Sequence, residues 1–183
     1  MNKRDSIFDL KGERVAFIIA RRRYEEHELS EPKRLLMDAG AEFAVFSSTG
    51  GLATGMNGGQ VNSTRPIREL SVTDYDAIIF IGGNGSVEYW HDADAHRIAC
   101  QAAAANKIIA AICYAPVSLA NAGILKGKRA TVFKGEEHRI AGRGAVVLKE
   151  PVVIDENLIT AEGPEVAQEF GEAIVTALYQ KRY

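Results

Sequence analysis

Short, wholly apolar runs alternate along the chain with longer stretches in which apolar residues recur every three or four positions. That alternation is the signature of βαβ units on a parallel sheet. Residues 15–20 form the first buried run and read as a strand. A helix follows, with Ser30 as N-cap, Pro32 in its first turn, Leu35, Leu36 and Ala39 on one face, and Gly40 as its stop. Residues 43–47 form a second strand, and residues 50–66, rich in Gly, Asn, Ser and Thr, are expected to hold only short strand pieces. A third strand over 77–81 runs into Gly82-Gly83-Asn84-Gly85, a helix over 94–106 follows, and 108–112 reads as the central strand. Residues 115–122 predict a helix that Gly123 ends, and Val132 falls on another strand. A hairpin over 152–155 and 158–160 turns at Glu156-Asn157, and an amphipathic helix over 164–179 closes the pattern.

With 183 residues, 46% of them hydrophobic and 25% charged, the chain is long enough for one domain with a well-buried core. A formal net charge of −2 gives no sign of a nucleic-acid or membrane partner. The apolar runs are too short to span a bilayer, and residues 1–11 are polar with no apolar signal core, so the expected compartment is the cytoplasm. Two cysteines, Cys100 and Cys113, make no disulfide framework. His27, His91, His96 and His138 are scattered, and no Cys or His cluster has metal-ligand spacing, so neither a metal nor an organic cofactor is expected.

Cys113 stands at the junction of a predicted strand and a predicted helix, in Ala111-Ile112-Cys113-Tyr114-Ala115. A nucleophile there makes a sharp, strained turn, and small residues two positions to either side let neighbouring backbone pass close. The turn raises the sulfur over the carboxyl ends of the strands, where open α/β sheets bind ligands, and places it near helix N–H groups that favour thiolate. The competing reading is a small buried hydrophobe. For Cys100, within a helical pattern among alanines, that packing reading is the expected one. Gly83 follows a parallel strand at the same sheet edge, so its N–H and that of Tyr114 form a natural pair of oxyanion donors; a plain tight turn competes.

The segment from Ala110 through Cys113 and Ala115-Pro116 to Lys128 resembles the nucleophile segment of the ThiJ/PfpI superfamily, whose wider relatives include class I glutamine amidotransferases. Tyr24-Glu25-Glu26-His27-Glu28-Leu29 with Pro32 is similar to the acidic motif after its first strand. Ile81-Gly82-Gly83-Asn84 resembles its Gly-Gly turn, and Asp155 to Thr160 with Gly163-Pro164 and Glu169-Phe170 its C-terminal hairpin and helix. The resemblance implies a flavodoxin-like three-layer α/β sandwich, with a mostly parallel central sheet and helices on both faces. It implies one domain over 1–183, residues 1–12 being a loose extension, and a homodimer or larger homo-oligomer.

By the same resemblance Cys113 is the catalytic nucleophile and Glu28 the carboxyl group beside it, leaving Glu25 and Glu26 solvated; without it, all three acids read as the charged first turn of a helix. Gly83 and Tyr114 are the implied oxyanion hole, with Gly82 and Asn84 as adjoining substrate-binding positions. Two departures stand out. Tyr114 occupies the place where peptidase-type members carry His, and Phe133 replaces a second His, so a Cys–His–acid triad is in doubt; a phenol with a pKa near ~10 is no general base at neutral pH. The run Arg21-Arg22-Arg23 is either an anion site for a substrate carboxylate or phosphate, or a solvated turn pairing with Glu25 and Glu26. Tyr89-Trp90-His91 is a pocket wall or a subunit contact. Three functions follow: an enzyme acting on small reactive carbonyls or on modified protein side chains, in the manner of a glyoxalase or deglycase; a redox-sensing or chaperone-like protein working through oxidation of Cys113; and a cysteine peptidase or amidase.

Overall fold

The computed structural model of the chain describes residues 8–182. Its strands are β1 (Arg14–Ile18), β2 (Arg22–Tyr24), β3 (Glu42–Ser47), β4 (Gly51–Gly55), β5 (Gln60–Pro66), β6 (Ala77–Phe80), β7 (Ile108–Ile112), β8 (Arg129–Ala130), β9 (Val146–Val147), β10 (Val152–Asp155) and β11 (Leu158–Ala161). Its α-helices are α1 (Glu26–Asp38), α2 (Ala93–Ala104), α3 (Pro116–Asn121), α4 (Glu137–Ala141) and α5 (Ala167–Arg182). Nine strands form one sheet in the order β10-β11-β7-β6-β1-β3-β5-β4-β2. It is mostly parallel, with antiparallel pairs only at β4–β5 and β10–β11; β8 and β9 pair separately.

Two apolar cores explain why the inner strands are continuous hydrophobic runs. Side chains alternate across a strand, so both sets must be apolar when both faces are covered. Val15 and Phe17 of β1 face a core with Leu29 and Leu36 of α1 and Phe170, Ile174 and Leu178 of α5. Ala16 and Ile18 face the other, with Ile98 and Ala102 of α2 and Leu119 of α3. β1 pairs with β3 on one side and β6 on the other, so the strand order reverses there. Such a switch point opens a crevice at the carboxyl ends of the strands.

The helix after β1 starts earlier than the sequence predicts. Its N-cap is Glu25, whose carboxylate accepts the Glu28 N–H at 2.7 Å, and Ser30 and Pro32 lie inside α1. Pro32 is buried against α5, where a Cβ on Gly171 would come within 2.9 Å of its Cα. Val132 is buried but lies beyond β8. The chain there is held by a side chain, with Thr131 N–H donating to Thr160 Oγ1 at 2.9 Å in place of a ladder bond. The loose extension expected over 1–12 does not hold for 8–12: Leu10 is fully buried and its N–H donates to Ala39 O at 2.8 Å, while Arg182 donates to the carbonyls of Asp9 and Lys11. Residues 1–7 lie outside the described part. Cys100 is exposed on α2, its thiol directed at Ala122 O, instead of being packed in the interior. Among the described residues no helix is long and apolar enough to cross a membrane.

Candidate active site around Cys113

Three adjacent strands, β1, β6 and β7, deliver three segments to one point. β1 leads through 19–25 into α1 and brings Glu28; β6 ends at Gly82-Gly83; β7 ends at Cys113. Cys113 adopts φ 64°, a left-handed conformation that costs a non-glycine residue of order 1–2 kcal/mol and persists only when its surroundings hold it. They do so from three sides. Cys113 N–H donates to Ala161 O at 2.9 Å, Phe133 N–H donates to Cys113 O at 2.9 Å, and Ala115 N–H closes the turn on Ile112 O at 3.1 Å. The sulfur-bearing residue is 4% exposed.

Glu28 has no solvent exposure, which is rare for a carboxyl group and needs a partner. Its Oε2 accepts the Gly82 N–H at 2.9 Å, while Oε1 has no hydrogen-bond partner within normal distance among the described residues. Gly82 is the spacer of the site: a Cβ there would lie 2.5 Å from Cys113 Cβ, 2.6 Å from Glu28 Oε2 and 2.7 Å from Ile112 O. Burial raises the Glu28 pKa to about 8, helped by the charges of Glu25 and Glu165 and opposed by the Gly82 N–H and the Cys113 thiol. Burial, then the Glu28 charge, pushes the Cys113 thiol up; the backbone N–H groups of Gly83 and Tyr114 act in the opposite sense, favouring thiolate. At neutral pH the Glu28 carboxyl group therefore stays largely protonated beside the thiol, since two adjacent anions in a dry site repel.

The residues singled out in the sequence fall into two groups. Cys113, Glu28, Gly82, Gly83 and Tyr114 come together, with the N–H groups of Gly83 and Tyr114 among those that favour the Cys113 thiolate. Gly83, at φ 97°, sits so close under the loop from β1 that a Cβ would be 2.5 Å from Glu25 N and 2.6 Å from Arg23 O. A Cβ on Gly85 would overlap the Arg22 carbonyl, so this glycine run is a close approach of two backbones, with Asn84 left exposed on its outside. The Arg21–Arg23 run does not pair with Glu25 and Glu26. Arg21 binds Thr49 Oγ1, and Arg22 and Arg23 are exposed on the edge strand β2. Glu25 caps α1, and Glu26 accepts from the N–H groups of Asn57 at 2.7 Å and Gly59 at 3.1 Å, so neither is merely solvated.

None of the four histidines is among the groups facing the sulfur. His27, His91 and His138 are exposed, and His96 is bound to Trp90 O at 2.9 Å. An aromatic wall takes the imidazoles' place: the Tyr114 ring lies 4.9 Å from Phe133 and 6.3 Å from Trp90. Glu165, whose charge reaches Glu28, gave no local signal beyond the Gly163-Pro164 turn beside it.

A buried carboxyl group beside a cysteine raised on a strained elbow, at the switch point of a flavodoxin-like sheet, defines a class: α/β proteins built around one cysteine. The profile of the DJ-1/PfpI family matches residues 13–177, and the chain belongs to that family. It is 35% identical to an uncharacterized protein of Methanocaldococcus jannaschii, over 97% of this chain and 88% of that one. It is 28% identical to the deglycase PfpI of Pyrococcus furiosus, over 77% of this chain and 85% of that one. Among solved structures, the ThiJ/PfpI domain protein from Brachyspira murdochii superposes with a TM-score of 0.90 at 29% identity, covering 93% of this chain and 98% of its own. Drosophila melanogaster DJ-1beta superposes with a TM-score of 0.84 at 25% identity, covering 93% and 92%.

Proposed function

We propose that the chain is a deglycase-like enzyme in which Cys113 attacks a small electrophilic carbonyl, such as a 2-oxoaldehyde or its adduct on an amine or thiol, with Glu28 carrying the proton. The observation that carries this reading is the fully buried Glu28 carboxyl, held by the Gly82 N–H and directed at the sulfur. A carboxyl group kept protonated near neutral pH is both a donor to thiolate and an acid for the oxygen of the attacked carbonyl. Sulfur supplies the electron pair of the new C–S bond, the carbonyl π pair moves to oxygen, and the proton the thiol loses reaches that oxygen by way of Glu28, giving a neutral hemithioacetal. In this reading the Gly83 and Tyr114 N–H groups stabilise the developing oxyanion. Two relatives named deglycases, from Pyrococcus abyssi and Pyrococcus furiosus, support the same reading at 29% and 28% identity.

The test is loss of methylglyoxal with the wild type, Cys113→Ser and Glu28→Gln. Turnover in the wild type that falls to background in both variants is the expected result; a wild type as inert as Cys113→Ser ends the reading for this substrate class. One observation favours a second reading, oxidation of Cys113. Two N–H donors and a protonated carboxyl group converge on the sulfur itself, an arrangement equally suited to a sulfenate or sulfinate oxygen. Intact mass after mild peroxide reads it directly, and absence of an oxygen adduct on Cys113 removes it.

A further inference from the structure

The turn before α5 carries a carboxylate that the proposed reaction leaves unused. Glu165 is exposed, and among the described residues its side chain makes no hydrogen bond and no ion pair. The side chain nevertheless folds back over its own turn. A Cβ on Gly163 would lie 3.0 Å from Glu165 Oε2 and 3.6 Å from the Phe133 ring, so the carboxylate and that ring flank the same glycine. The φ of Gly163 is 174°, extended backbone open to any residue, so the glycine supplies room and not a conformation. The Phe133 ring in turn packs 4.9 Å from Tyr114, and the Phe133 N–H donates to Cys113 O at 2.9 Å. Across this short path the Glu165 charge acts on the Glu28 carboxyl group.

The leading charges around the site are of one sign. Glu28 acts on the sulfur, Glu25 and Glu165 act on Glu28, and Glu136 acts on the Tyr114 phenol. Arg139, a cation on the aromatic wall, is already engaged: it pairs with Glu136 and lies 4.7 Å from the ring centroid of Trp90, whose indole N–H donates to Tyr114 O at 3.0 Å. Arg21 is tied to Thr49, and Arg22 and Arg23 are exposed on the edge strand β2. Of the four acids, Glu25 caps a helix, Glu136 is paired with Arg139 and Glu28 is buried. Glu165 is the one whose charge is left to act on an incoming molecule. Beside an apolar wall that charge is less screened than in open solvent.

We propose that Glu165 is a specificity-determining residue: its carboxylate, lying over Gly163 on the flank of the Phe133–Tyr114 pair, turns away carbonyl compounds that carry a carboxylate or phosphate and leaves Cys113 to neutral ones and to adducts on a cationic amine. This rests on the reading of Cys113 as the reactive group and narrows its substrates by charge. An anion site at Arg21–Arg23 would draw in the compounds that Glu165 repels, so the two assignments predict opposite outcomes.

The experiment alkylates Cys113 with iodoacetate and with iodoacetamide, which differ little in size and by one charge, across a range of pH, each cysteine being followed by peptide mass. Both reagents consume the same thiolate, so its fraction and its access divide out of the rate ratio, which retains the local charge. In Glu165→Gln the iodoacetate-to-iodoacetamide ratio at Cys113 should rise about threefold at low salt, and less at high salt, with the ratio at Cys100 unchanged. Glu165→Lys, which reverses the charge, should raise it about tenfold. Glu165 is exposed and makes no bond that either variant would break. With carbonyl substrates, Glu165→Gln should raise the ratio of kcat/KM for glyoxylate to that for methylglyoxal by about the same threefold. An alkylation ratio that stays put in both variants overturns the inference. So does a wild-type ratio above that of Cys113 in the unfolded chain, which would mean that the arginines prevail. A native sulfur that neither reagent reaches overturns it too, because a charge beside a closed site selects nothing. Alkylation needs no carbonyl, so a wild type inert toward methylglyoxal refutes the proposed reaction and leaves the role of Glu165 to be decided by the alkylation ratio.

Discussion

The carboxyl group of Glu28 and the sulfur of Cys113 meet over a glycine. Gly82 donates its N–H to one carboxylate oxygen at 2.9 Å, and a Cβ there would fill the space between the two side chains. Neither group is at ease alone: one is a carboxyl group with no exposure, the other a thiol in a left-handed turn. Each becomes intelligible as the other's proton partner.

That pairing makes stability depend on pH in a defined direction. The Glu28 pKa is about 8 in the folded chain against an ordinary value of 4.5, because burial disfavours the carboxylate. Below pH 4.5 both states are protonated; between 4.5 and 8 the unfolded state releases a proton that the folded state keeps, so stability falls as pH rises through this window and levels off above it. Glu28→Gln should flatten this slope. Relative to wild type it should gain about 4 kcal/mol between the two ends, read from urea midpoints at pH 4.5 and 8.5.

Gly82→Ala tests the spacer. Its φ lies outside the left-handed range, so the effect is steric: the methyl group meets Cys113 Cβ at 2.5 Å and backbone Ile112 O at 2.7 Å, neither of which yields cheaply. Overpacking of this kind costs roughly 1–3 kcal/mol. The expected outcome is a lower thermal midpoint together with loss of whatever reactivity Cys113 has.

The two thiols should separate in a native titration with an aromatic disulfide reagent. Cys100 is exposed and Cys113 is buried with its thiol pKa pushed up, so one equivalent should react fast and one slowly, merging into a single phase in denaturant. Two equally fast equivalents in the native protein would contradict the burial of Cys113.

How far the sequence foretold this site depends on which contacts are local. The runs at 108–112 and 152–155 read correctly to the residue, because an inner strand buried on both faces and a hairpin edge each leave an unmistakable pattern. Cys113 was visible for the same reason: the end of an apolar run followed by Ala115-Pro116 marks a strand passing straight into a helix. Glu28 was legible only through resemblance, since three acids within four positions look like the first turn of any helix. The sequence points to Ser30 with Pro32 because that pair has the better cap chemistry, whereas Glu25 caps the helix through its position at the end of the loop that Gly83 presses upon. The Trp90 bond to Tyr114 spans 24 residues and follows no period, so no spacing rule reaches it.

Glu26 and Glu28 share a helix, but their carboxyl groups go to different places. Glu26 stands two residues before Glu28, yet its carboxylate turns away to the β4–β5 turn, where it accepts from Asn57 N–H, Asn57 Nδ2 and Gly59 N–H, and where a Cβ on Gly55 would overlap it. Three donors on one carboxylate hold a glycine-rich turn that has little apolar surface of its own. Charge-assisted bonds of this kind contribute about 1.5–3 kcal/mol each when a buried partner is stranded, and less here because the turn is largely exposed. Glu26→Ala should therefore destabilise the fold by about 1–2 kcal/mol and raise amide exchange at residues 55–60, while the alkylation profile of Cys113 stays where it was. A shift of that profile would mean that the turn and the site are coupled through α1, and that the division of labour among the acids of this segment is wrong.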